Sequence, residues 1–132
     1  MNTLVEKITE VAMEKQLNGN IIGAILDFDN AINLDSNDYQ LYIYRGSAKC
    51  SIKEFHEAII DYNKAIELDK NDIVAYKYRA FAFGELKEFD NSIHDISKAI
   101  ELVEVGDYNA NYKSHLYAER AYYKSDKKDF NG

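Results

Sequence analysis

The sequence predicts an all-α protein built as an array of antiparallel helix pairs. Three observations carry that prediction. A motif returns every 34 residues: Ala31, Ala65 and Ala99 have that spacing, and so do Asp27, Asp61 and Asp95. Within each copy, apolar residues recur at three- and four-residue steps, as in Phe28, Ala31 and Ile32 or Tyr62, Ala65 and Ile66, which is the period of a helix face. No proline interrupts the 132 residues, and short polar stretches separate the periodic segments. A fixed period of this size marks small stacked units, each burying its apolar face against the next.

The elements follow in order, as a single domain. Repeats span approximately residues 5–38, 39–72 and 73–106, with a partial fourth repeat or capping helix over 107–132. In each repeat a first helix reaches a turn at Leu17-Asn18-Gly19-Asn20, Ser51-Ile52-Lys53-Glu54 or Glu85-Leu86-Lys87-Glu88, and a second helix follows. Asp38 and Asp72 are placed to cap the next first helix, because a short side-chain oxygen satisfies a free N–H of the opening turn. Small residues at Gly46, Ala80 and Ala121 on first helices, and at Ala24 and Ala58 on second helices, allow close approach within a pair. Ile21, Phe55 and Phe89 close the turn end. The fourth copy starts late: Tyr76 to Tyr117 is 41 residues, so seven are inserted within residues 103–111. They fit either an early start of the last helix, near Asp107, or a longer loop around Gly106. The chain then stops where a second helix is due, which fits a piece of a longer array or a lone capping helix. Either leaves an apolar stripe through which copies could associate end to end.

These residues resemble the tetratricopeptide-repeat (TPR) family. Its pattern of an aromatic, a small residue four later, an aromatic at the turn, then Ala, an aromatic and Ala is matched by Tyr42, Gly46, Phe55, Ala58, Tyr62 and Ala65. Tyr76, Ala80, Phe83, Phe89 and Ala99 match it again, with Ser92 in place of an alanine; Ile8, Ala12, Ile21, Ala24, Phe28 and Ala31 form the first copy. The family's terminal proline is replaced by Ser36, Lys70 and Glu104. The resemblance implies a TPR-type α-solenoid, a right-handed superhelical array of about three full repeats plus a C-terminal helix. It also implies a concave groove lined by first helices, where a partner's peptide or helix binds. The groove positions are Glu6, Thr9, Met13, Gln40, Ile43, Tyr44, Ser47, Cys50, Lys77, Tyr78, Phe81, His115, Ala118 and Tyr122. That face is aromatic and apolar at its centre with charges at its edge, as binding hot spots are; the alternative is that Tyr44, Tyr78 and Phe81 only pack within the array. Family members that grip acidic chaperone tails carry lysines, asparagines and an arginine where this chain has Thr9, Met13, Tyr44, Val74 and Tyr78, so that specificity is not expected.

A charge pattern runs beside the apolar one. Asp27 precedes Arg45 by 18 residues, Asp61 precedes Arg79 by 18, and Asp95 precedes Arg120 by 25, which is 18 plus the insertion. The regularity predicts a partly buried ladder of pairs between repeats, the alternative being independent solvated charges.

Composition narrows the function. A net charge of −7 with interspersed signs disfavours nucleic acid, whose phosphates call for a basic surface. No apolar run is long enough to cross a membrane. A single cysteine fits a reducing, cytoplasmic location. His56, His94 and His115 have no metal-ligand spacing, and no nucleophile–base set or phosphate loop is present, so no catalytic activity, cofactor or metal is expected. The expected function is a non-enzymatic protein-interaction module. A small acidic TPR chaperone for secreted proteins and a self-assembling scaffold are the alternatives.

Overall fold

The computed structural model describes residues 3–131 and places seven α-helices among them: α1 (Thr3–Leu17), α2 (Ile21–Leu34), α3 (Tyr39–Ser51), α4 (Phe55–Leu68), α5 (Ile73–Glu85), α6 (Phe89–Val105) and α7 (Ala110–Phe130). Contacts divide the chain into two compact units, one ending at Lys70 and one starting at Asn71. In the first unit α1 packs on α2, α2 on α3 and α3 on α4; in the second α5 packs on α6 and α6 on α7.

Local chemistry sets the helix boundaries. Asn20, Asp38, Asp72 and Asn109 each accept a backbone N–H of the opening turn, from Gly23, Gln40, Ala75 and Tyr112. The two aspartate caps are those the sequence indicates. All three turns between a first and a second helix have one geometry. The N–H groups of Asn20, Glu54 and Glu88 bond the carbonyls of Lys15, Lys49 and Phe83, and those of Gly19, Lys53 and Lys87 bond Gln16, Cys50 and Gly84. This is the paired bonding of a Schellman motif, which needs a left-handed residue after the helix. Gly19 supplies it freely at φ 87°, whereas Lys53 and Lys87 hold φ values of 64° and 63° against the steric preference of a β-carbon.

The small residues do what their columns suggest. Ala24, Ala31, Ala58, Ala65 and Ala99 are fully buried. A β-carbon on Gly46 would lie 2.6 Å from Cε1 of the buried Tyr62 ring, so only glycine allows α3 and α4 to approach this closely. Ser92 stands in an alanine position and is fully buried; its hydroxyl donates to the Ala80 carbonyl at 2.7 Å, which meets the cost of burying it.

The seven inserted residues form neither a longer loop nor an early α7 alone. The connection 106–109 has four residues, as have 35–38 and 69–72. α6 has 17 residues against 14 in α4, and Tyr117 is the eighth residue of α7, where Tyr42 and Tyr76 are fourth in α3 and α5. Each flanking helix therefore gains about one turn, which keeps the repeat in phase.

α7 buries only Leu116 and Tyr123. These match Leu41 and Ala48 on α3. Tyr117 is 44% exposed where Tyr42 is 8%, and Ala121, expected at a close helix contact, is exposed. Among the described residues no second helix lies behind α7, so that face keeps its solvent.

Candidate functional site

The charged columns organise each unit. Arg45 makes a bidentate pair with Asp61, Nη2 to Oδ1 at 2.7 Å and Nε to Oδ2 at 3.0 Å, and its Nη1 bonds Asp29 at 2.8 Å. Lys49 adds a third cationic contact at 3.2 Å to the same Asp61, whose side chain is 2% exposed. Arg79 holds Asp95 in the same bidentate way, at 2.6 and 2.8 Å. Each arginine also lies over the tyrosine three residues before it, Tyr42, Tyr76 or Tyr117. Burial works against the charged Arg45, but the hydrogen bonds and charges of Asp61, then Asp29, more than offset it and hold the guanidinium above its ordinary pKa.

The register of this ladder differs from the sequence expectation. Asp27 does not take Arg45; it pairs with Lys15 of its own helix pair at 2.8 Å. Asp61 and Arg79, expected as partners, are held within their own helix pairs by Arg45 and Asp95 respectively. In place of Asp95, the partner found for Arg120 is the Ser97 hydroxyl at 3.3 Å. The tie from a second helix to the next first helix is therefore made two residues later, by Asp29 and Ser97. Two residues are about 200° of helix rotation, so one position faces the helix's own partner and the other faces forward. Spacing alone does not separate them.

In the first unit, α1 and α3 border a cleft of about 380 Å³. Met13, Gln40 and Tyr44 line it, with Glu6 and Thr9. Tyr44 rests against the core ring of Phe28 at 5.9 Å, which fixes its orientation. Ser47 and Cys50 are half-buried outside this lining, and the Cys50 thiol lies 3.5 Å from the Tyr62 hydroxyl. Ile43, expected in the groove, is absent from this lining and is 6% exposed, because α3 packs against both α2 and α4 and so buries a wider arc than one stripe. Glu10, Asp35 and Asp38 also line the cleft, although sequence reasoning did not place them there. The run of carboxylates at the end of the first repeat was the available signal.

In the second unit, Tyr78, Phe81 and Tyr122 are 41%, 48% and 62% exposed, and Ala118 is also open. Lys77 is tethered to Glu119 at 3.8 Å and lies over the Tyr112 ring; His115 meets the same carboxylate at 3.0 Å. Phe81 and Tyr122 flank a small pocket whose floor is Tyr123 packed against Gly84, where a β-carbon would lie 2.8 Å from the ring. Burial, then Glu119, raises the Tyr123 phenol well above its usual range. A hydrogen bond with Asp126 raises Tyr122. Among the described residues no group of three His, Cys, Asp or Glu side chains is arranged to hold a metal, and no helix is long and apolar enough to cross a membrane.

No protein-family profile matches the chain, and no curated protein sequence matches it. Solved structures do. The type III secretion chaperone SycD of Yersinia enterocolitica, in complex with a peptide of the translocator YopD, is similar over 96% of this chain and 97% of its own, with a TM-score of 0.86 and 16% identity. The TPR2B domain of yeast Sti1, in a complex with pHsp70, covers 91% of this chain and 98% of its own, with a TM-score of 0.79 and 26% identity. The first TPR of Spaghetti (RPAP3), bound to the HSP90 peptide SRMEEVD, covers 89% and 93%, with a TM-score of 0.73 and 22% identity.

Proposed function

We propose that this chain, whose fold is of the tetratricopeptide-repeat type, is a non-enzymatic interaction module that binds a peptide or helix of a partner protein. The observation that carries the reading is the open cleft between α1 and α3, with Met13 and Tyr44 in its lining and the Tyr44 ring held by Phe28. A preformed, partly apolar concavity with an oriented aromatic is suited to seating a side chain without prior rearrangement. The second unit exposes aromatic side chains of its own, Tyr78, Phe81 and Tyr122. Among the similar folds, the Sti1, RPAP3 and SycD structures each hold a partner or its peptide, which agrees with this use of the architecture. The single cysteine favours a reducing compartment, and we place the protein in the cytoplasm.

The test compares capture from the native cell lysate by wild type and by two folded variants, Met13→Lys and Phe81→Glu. A protein retained by wild type and lost by either variant supports the reading. Identical captures by all three would remove it. Ile43 is unsuitable for such a test because it belongs to the core.

A second reading, a chaperone that holds a segment of a secreted protein, draws on the net charge of −7 together with an apolar-lined cleft. It requires a partner that stays soluble only when co-expressed with this chain. A third, assembly through the exposed face of α7 at Tyr117 and Ala121, requires a mass that rises with concentration.

A further inference from the structure

We infer that the cleft of the first unit takes a cationic segment with apolar anchors: a stretch of a partner protein in which Lys or Arg side chains flank a Leu-, Met- or Phe-type side chain. This rests on the interaction reading above and adds the charge class of the occupant. Four carboxylates, Glu6, Glu10, Asp35 and Asp38, surround an apolar floor of Val5, Met13 and Leu41. Among the described residues no lysine, arginine or histidine lines the cleft. Lys15 of the same helix is engaged elsewhere, by Asp27. The Thr9 hydroxyl donates to the Val5 carbonyl at 2.8 Å and so is spent on its own helix. One oxygen of Asp38, Oδ1, accepts the N–H of Gln40. The other three receive no such bond from the lining, and the inner oxygen of Glu6, Oε1, is buried with no hydrogen-bond partner among the described residues.

This arrangement favours a cationic occupant. Glu6 and Glu10 lie one turn apart on one helix face, a spacing at which like charges repel. A buried acceptor gains from a donor that an occupant brings to it. A cationic side chain entering between them relieves the repulsion and brings the donor, and the apolar floor holds the neighbouring side chain. A concave site of one sign with low-dielectric walls also concentrates its field and speeds the approach of the opposite charge. An acidic tail meets the reverse on every count.

The experiment pans a random dodecapeptide phage library on the 132-residue wild-type chain and on a folded Glu6→Lys/Glu10→Lys variant. Wild type is expected to enrich peptides of net positive charge with one or two large apolar residues, and the variant to lose them. A selected synthetic peptide is expected to bind at least about tenfold more weakly to a Glu6→Gln/Glu10→Gln chain, which keeps the size of both side chains, and to weaken as salt is raised. Enrichment of acidic or neutral peptides by wild type, or the same peptides from both chains, overturns the charge class while leaving the interaction reading in place. Failure of wild type to enrich any peptide over a Met13→Lys chain overturns both.

Discussion

Helices α3 and α7 carry the same motif, Leu41-Tyr42-Ile43-Tyr44-Arg45-Gly46 and Leu116-Tyr117-Ala118-Glu119-Arg120-Ala121, yet they do different work. α3 packs on α2 and on α4, and buries five of its 13 residues. α7 packs chiefly on α6, touches α5 through Tyr123 at Gly84 and Glu119 at Lys77, and buries two of 21, Leu116 and Tyr123. One motif thus encodes two faces, and the second is used only where a following helix supplies the complementary surface. Arg45 shows the consequence: it has Asp29 behind and Asp61 ahead, whereas the partner found for Arg120 is Ser97 behind.

The largest test of this contrast is to remove the two arginines. Arg45→Met leaves a 2%-exposed Asp61 with Lys49 alone and is expected to cost about 3–5 kcal/mol in chemical denaturation. Arg120→Met should cost about 1 kcal/mol, the scale of an ordinary hydrogen bond. Equal losses would mean that the two faces of the motif are not energetically distinct. Next come the small residues. Gly46→Leu forces a side chain into the buried Tyr62 ring and should destabilise by about 1–3 kcal/mol. Ala121→Leu, on the open face of α7, should change stability by no more than about 0.5 kcal/mol.

Smaller effects sharpen the comparison by separating local from packed terms. Lys53→Gly frees the left-handed residue after α3 and should stabilise by about 0.5–1 kcal/mol, the relieved strain exceeding the added freedom of the unfolded chain. No gain in melting temperature would mean that the turn strain is relieved by other means. The smallest effect is one of pH. The folded-state pKa of Tyr123 is raised, so the protonated phenol stabilises the fold fully below the unfolded value near 10, and that contribution fades as pH rises beyond it. Stability should therefore fall as pH rises above about 10, and Tyr123→Phe should make the fall shallower. An unaltered pH profile in the phenylalanine variant would show that the phenol is not buried on α7's packed face.

Much of the fold was legible because its determinants are local or strictly periodic. Caps at Asp38 and Asp72 act within one turn of backbone, and a three- or four-residue apolar step defines a helix wherever it occurs. The candidate site was legible only in part. Met13 and Tyr44 follow from their register on first helices, but Ile43 fell on the wrong side because the width of the buried arc depends on how many helices pack against α3. Asp35 and Asp38 come from a connection between helices, and nothing in a helical period says which cleft a connection borders.

The sequence by itself determined the helix pairs, their 34-residue register, the caps and the columns of small residues. Only the tertiary structure decided which aspartate meets which arginine, how the seven inserted residues divide between α6 and α7, and which carboxylates converge on the first unit's cleft. The reason is physical. A helix repeats its faces every 3.6 residues, so a sequence fixes what lies on each face, but the partner of a face is set by the packing of a neighbour distant in the chain.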